Sequence, residues 1–193
     1  PLDIGPGGMR GALQRRDKVA LKKVAKALGR DWWVALDWGE PPPGGWASVC
    51  EEGARAWKHM APGKIRLSDG SVREGISPSG APRGDRFLLT TDERLRDDEY
   101  ATVKDLSAKL AELWAGLDEY LVEEPRLQLK LIGRTDALFA CFPGKGGKYN
   151  CHYDGGAGDA RKLTAILYVN EGWRSEDDGR LMMYDVSSSS LSS

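Results

Sequence analysis

Residues 138–173 read LFACFPGKGGKYNCHYDGGAGDARKLTAILYVNEGW. Their pattern fixes the expected fold. DALFACF (136–142), KYNCHYD (148–154) and KLTAILYVN (162–170) are short runs of apolar, aromatic and β-branched residues. Glycine-rich or polar turns separate them, which is how strands of an antiparallel sheet are punctuated. Leu127, Leu129 and Leu131 alternate with Gln128 and Lys130 just upstream, and RLMMYD (180–185) supplies a last run.

Ahead of this period-two region the spacing is helical. From Tyr100 to Glu123, Val103, Leu106, Leu110, Leu113, Trp114, Leu117, Tyr120 and Leu121 recur at three to four residues, a stripe for core packing. Trp46 to His59 offers a shorter helix with Trp46, Val49, Cys50, Ala54 and Trp57 on one face. DWWVALD (31–37) reads as a strand closed by PPPGG (41–45), and RFLLT (86–90) as another. Residues 61–85, rich in Gly, Pro, Ser and charge, read as a long loop, of the kind that is usually functional. Helices followed by short strands predict an α+β chain ending in an antiparallel sandwich or barrel.

Residues 1–30 stand apart in composition, with eight basic and two acidic side chains. Leu13, Val19, Leu21, Val24 and Leu28 fall near helical spacing before Gly29. We read this stretch as a basic N-terminal helical extension, with a solvated basic face and an apolar stripe packed on the domain, 31–193. Nucleic-acid or partner binding through the basic face is the rival reading; it predicts salt-sensitive binding.

The whole chain is near neutral, with 28 basic and 29 acidic residues among 193. A dedicated nucleic-acid binder needs a basic excess, so nucleic acid is not the expected partner. No apolar run reaches the roughly 18–20 residues of a membrane span. Three cysteines do not make a disulfide framework and fit a reducing compartment. With no apolar leader in the opening residues, cytoplasm or nucleus is the expected location, and a monomer the expected state. The chain starts at Pro1 and ends in a serine run, Ser187 to Ser193 broken by Leu191, so both ends are expected to be cut edges.

The chemistry is concentrated in two places. PGKGGK (143–148) has the lysine and glycines of a phosphate loop but not its spacing, and it joins two strands; a glycine-permitted hairpin turn is expected. His152-Tyr153-Asp154 is more telling. Residues i and i+2 of a strand point to one face, so an imidazole and a carboxylate converge there. That is two of the three ligands of a facial His/carboxylate site for ferrous iron. The plain alternative is an exposed histidine beside a turn aspartate. Only two histidines occur, His59 and His152, so a three-histidine site is excluded.

The segment around HxD resembles the hypoxia-inducible-factor-type prolyl 4-hydroxylases, of the Fe(II)/2-oxoglutarate-dependent dioxygenase superfamily. The resemblance rests on an A-C-[YF]-P-G turn at Ala140 to Gly144, on Tyr149, on His152 and Asp154, and on Arg161-x-x-Thr164 leading to Tyr168-x-Asn170. Trp173 and Gly179 follow in order. GRTDALFACFPG (133–144) extends it upstream, as does the loop ending in Arg83-Gly84-Asp85. In all it covers roughly residues 29–185.

That resemblance implies a double-stranded β-helix (jelly roll) core supported by N-terminal helices, with iron at the mouth of the barrel. It implies His152 and Asp154 as metal ligands, and Tyr168, Thr164 and Tyr149 around 2-oxoglutarate, with the Tyr168 hydroxyl on the distal carboxylate. Arg161, Arg83 and Asp85 are implied at the substrate: Arg161 at the rim, the other two ordering a covering loop. The implied reaction hydroxylates a prolyl residue of a protein or peptide with O2, giving succinate and CO2, with ascorbate keeping the iron reduced. A non-catalytic peptide-binding jelly roll with an incomplete metal site is the alternative. Two departures stand out. Phe142 replaces a tyrosine of the animal enzymes, and no histidine follows Asp154, although the family carries a second histidine and an arginine or lysine on a later strand. The last strands are therefore expected to be missing.

Overall fold

The structure, a computed structural model, describes residues 1–66, 70–76, 84–96, 98–142, 154, 160–177 and 179–184. Four helices carry it. Helices α1 (Gly8–Gln14) and α2 (Lys18–Asp31) open the chain, α3 is Gly45–Ala56, and α4, Ala101–Glu123, is the long one. Strands β1 (Ala61–Pro62), β2 (Lys64–Arg66), β3 (Val72–Glu74) and β4 (Arg86–Leu89) lie between α3 and α4, and β5 (Leu138–Cys141) follows α4.

The strands form two antiparallel sheets. In one the order is β1-β4-β5, with Ala61 opposite Phe87 and Leu88 opposite Phe139; the other is the β2-β3 hairpin. The expected long loop at 61–85 thus contains three short strands. Its alternating Lys64–Glu74 and Ile65–Arg73 pairs make a ladder that its glycine and proline content obscures.

The core lies between helices. Val24 of α2 and Val103, Leu106, Leu113, Leu117 and Leu121 of α4 are buried in one cluster with Met9, Ala12 and Val49. The α4 spacing is therefore a core stripe, as expected. Asp17 caps α2, its carboxylate accepting from the N–H of Val19 and Ala20 at 3.1 and 3.0 Å. Met9 and Ala12 are fully buried, and Leu13, Leu21 and Val24 of the expected stripe join them in the core shared with α4, whereas Val19 of that stripe is exposed, as are Lys18, Lys22, Lys23 and Lys26.

DWWVALD is not a sheet strand. Helix α2 runs through Asp31, and Trp32 ends it in a left-handed conformation (φ +66°), donating its N–H to the Leu28 carbonyl at 2.9 Å. The following residues pair with the chain's own start instead. Leu2 bridges Leu36, and the Asp37 and Trp38 carbonyls accept from Met9 and Arg10 at 2.8 and 2.9 Å. Those two N–H groups belong to the first turn of α1, where a helix has no internal acceptor. Gly39 (φ +85°) permits the approach, because a Cβ there would fall on the Gly7 carbonyl.

After α4, Leu127, Leu129 and Leu131 pack against the core without a strand being formed. Over 166–170 the burial alternates without a strand being formed. Leu163, Leu167 and Val169 are half-buried against the helical core, and Thr164, Ile166 and Tyr168 are exposed. The chain is thus α+β with a small antiparallel sheet; among the described residues the strands do not close into a jelly roll. The PGKGGK turn lies outside the described residues.

Candidate functional site

Asp154 is the anchor of the candidate site. Its Oδ2 accepts the Thr164 hydroxyl at 2.7 Å, and Arg161 Nη1 lies 3.0 Å from its Oδ1. The Asp154 side chain is 29 % exposed and that of Arg161 46 %, so the carboxylate sits in a shallow position with its oxygens oriented from two sides. Both partners come from the segment 160–170, seven and ten residues on, after the glycine-rich GGAGD stretch. Thr164, expected at the co-substrate, and Arg161, expected at the substrate, both have side chains that meet the candidate metal ligand.

Tyr168 projects from the same exposed side as Thr164. Partial burial raises its phenol above the ordinary tyrosine range, so at neutral pH it is protonated and able to donate. On the opposite side Val169 packs inward, its carbonyl 3.8 Å from the Cys50 sulfur of α3. Cys141 of β5 faces the same helix. Burial, and secondarily Cys50, raises its thiol pKa, which leaves it a poor nucleophile.

Asp85, expected to order the covering loop, is buried. Its side chain packs on Gly63, where a Cβ would collide with the carboxylate, and its carbonyl accepts from the Gly63 N–H at 2.9 Å. Asp85, just before β4, therefore ties the end of the 61–85 segment back to its start at Gly63. His152, Tyr149 and Arg83 lie outside the described residues.

His59 is accounted for elsewhere. It ends the short 3-10 turn after α3, where its charge adds to the hydrogen bonds from Arg94 that hold the Asp92 carboxyl down at about 2. Among the described residues no three His, Cys, Asp or Glu side chains gather in a way that could hold a metal ion. The Asp154 carboxylate does suit one ligand position of a divalent metal. It is a hard oxygen donor with an outer hydroxyl orienting it, the usual support for a ligating carboxylate.

One residue that positions this region gave no motif. Glu52 of α3 is buried, and its carboxylate accepts from the backbone N–H of Thr102 (3.0 Å) and Val103 (2.8 Å) at the start of α4. A cap supplied from 50 residues away leaves no local signature. Tyr100, the residue that precedes α4, makes no such bond itself.

Comparison with known proteins places these residues. Residues 137–192 match the family model of the 2OG-Fe(II) oxygenase superfamily. Egl nine homolog 1 of Homo sapiens is 42 % identical over 53 residues, which are 28 % of this chain and 12 % of that protein. The hypoxia-inducible factor prolyl hydroxylase of Caenorhabditis elegans is 38 % identical over 64 residues, 33 % of this chain and 9 % of the relative. Prolyl hydroxylase EGLN3 of Homo sapiens is 39 % identical over 49 residues, 25 % of this chain and 20 % of its own. The chain spans a fifth or less of each of these three relatives, and no solved structure matches it at a significant level. Residues 137–192, the stretch that contains His152, Asp154, Arg161, Thr164 and Tyr168, thus match the 2OG-Fe(II) oxygenase superfamily model, and part of the chain is similar to part of these prolyl hydroxylases.

Proposed function

We propose that the chain carries the metal-binding part of an Fe(II)/2-oxoglutarate-dependent dioxygenase that hydroxylates a prolyl residue in a protein or peptide. The observation that carries this is Asp154. It lies two residues after His152 inside the matched segment, and its carboxylate is held by Thr164 and Arg161. His152 and Asp154 would hold the iron, which with 2-oxoglutarate and O2 supplies the oxidising chemistry when bound, and ascorbate would keep it reduced.

The protein's own part is orientation. Thr164 fixes the carboxylate by donating to Oδ2, which presents the remaining lone pairs in one direction. Tyr168, protonated at neutral pH, would donate to the distal carboxylate of 2-oxoglutarate, and Tyr149 would belong to the same co-substrate site. Arg83 and Asp85 flank Gly84 at the end of the substrate-covering segment, with Asp85 as its buried tether. The dioxygenase unit is residues 31–193, with 1–30 packed on it, and the setting is cytoplasm or nucleus. Among the described residues no helix is long and apolar enough to cross a membrane.

Incubated with Fe(II), 2-oxoglutarate, ascorbate and a proline-containing peptide, a full-length protein that carries the family's later histidine and arginine or lysine should release succinate and add one oxygen to the peptide. His152→Ala should abolish both. Coupled turnover surviving in His152→Ala would remove the ligand assignment.

The second reading, a non-catalytic peptide-binding module, draws on one observation. Of the two histidines, His59 stands beside Asp92, which leaves His152 as the one histidine of the site. Peptide binding that is indifferent to Fe(II), with no succinate formed, would decide for it.

A further inference from the structure

Two partners of Asp154 among the described residues, Thr164 and Arg161, differ in kind. Thr164 brings a neutral hydroxyl to Oδ2, whereas Arg161 brings a full positive charge to Oδ1. A neutral donor and a divalent metal coexist on one carboxylate, because each oxygen has two lone pairs and the hydroxyl adds no charge. A guanidinium and a metal compete, because two cations drawn to the same oxygen repel at a few ångströms.

We propose that Arg161 is a cationic placeholder on Asp154 that a divalent metal must displace, while Thr164 is the positioning residue that stays with the carboxylate when metal binds. The inference rests on the reading of Asp154 as a metal ligand. Arg161 is suited to the task. Its side chain is about half exposed, so it can swing into water at little cost, and Asp154 is itself exposed enough for an ion to reach it. Without a metal, the pair keeps a partly buried carboxylate neutralised and oriented. Loading the site therefore breaks the Nη1–Oδ1 contact and leaves the Oγ1–Oδ2 contact in place.

The two side chains thus have opposite effects on metal affinity, which a merely structural role would not produce. Binding of Mn(II) alone to the full chain, followed through the EPR signal of the free ion, reads this without any turnover. Arg161→Gln should bind Mn(II) about fivefold more tightly than the wild type, the worth of a half-exposed ion pair. Arg161→Met, which keeps the apolar stem, should move in the same direction, and Arg161→Lys should stay near the wild type. Thr164→Val should weaken binding by about tenfold or more, the usual loss on removing an outer-sphere partner, and Thr164→Ser should restore it. Unchanged or weaker binding in both Arg161→Gln and Arg161→Met would overturn the placeholder role. Asp154→Asn separates the two levels of the argument. If it leaves Mn(II) binding intact, or the wild type binds none, the metal-ligand reading itself falls.

Discussion

Replacing Glu52 by alanine takes away the carboxylate that caps α4 and orphans two buried N–H groups, those of Thr102 and Val103. A hydrogen bond to a charged group contributes about 1.5–3 kcal/mol, and the α4 dipole adds a few tenths more at its N-terminus. The two bonds share one carboxylate and do not sum fully, so the expected loss is about 3 kcal/mol. Against a total of about 5–15 kcal/mol for a domain this is a large share. For a chain of this size it lowers Tm by roughly 6–12 °C. Glu52→Gln should cost about half as much, because one oxygen still accepts while the amide NH2 confronts the other N–H. Urea unfolding followed by far-UV circular dichroism measures both, with Glu51→Ala on the exposed side of the same helix as the control. A change in Glu52→Ala of under about 0.5 kcal/mol, no larger than the control, would refute the capping argument.

Two further outcomes follow from the geometry. Gly39→Ala puts a Cβ onto the Gly7 carbonyl at φ +85° and should cost more than about 2 kcal/mol by thermal denaturation; a neutral effect would mean that the start of α1 is not docked on residues 37–39. Asp92 is held at about 2, mainly by the Arg94 side chain. Its contribution to stability is complete above its ordinary value of 3.8 and drains away as pH falls from about 4 towards 2. Asp92→Asn should lack that component, so urea midpoints of variant and wild type should converge in acid, and parallel curves would contradict the assignment.

The helical layer was largely legible because its signals are local. The α4 stripe from Val103 to Leu121 depends on residues three or four apart, within a turn of one another. DWWVALD misled for a physical reason. Its aromatic and apolar content suits a strand, but the acceptors it offers are taken by the first-turn donors of α1, and only the folded chain brings those together. The β2-β3 ladder was hidden by the opposite effect, since glycine and proline around it read as loop. At the candidate site, period-two geometry and the family pattern single out His152-x-Asp154 as a candidate ligand pair. The contacts of Arg161 and Thr164 on Asp154 could not, since a spacing of seven or ten residues across a glycine-rich turn specifies no pairing until the return strand has a register.

That register is where fold and candidate site meet. Along 160–170 the side chains of Leu163, Leu167 and Val169 go to the helical core, so Thr164 and Tyr168 must point the other way. A slip of one residue would bury Thr164 and Tyr168 among leucines and turn the apolar set to water, an exchange of both faces at once. The helices therefore do more than support the sheet. By accepting alternate side chains from the segment after Asp154, they fix which hydroxyl can reach Oδ2, and Glu52 contributes by holding the start of α4 against α3. Loosening α4 should consequently weaken any metal site built on Asp154 before it unfolds the chain, since the Thr164 contact depends on a register that only the packed helices impose.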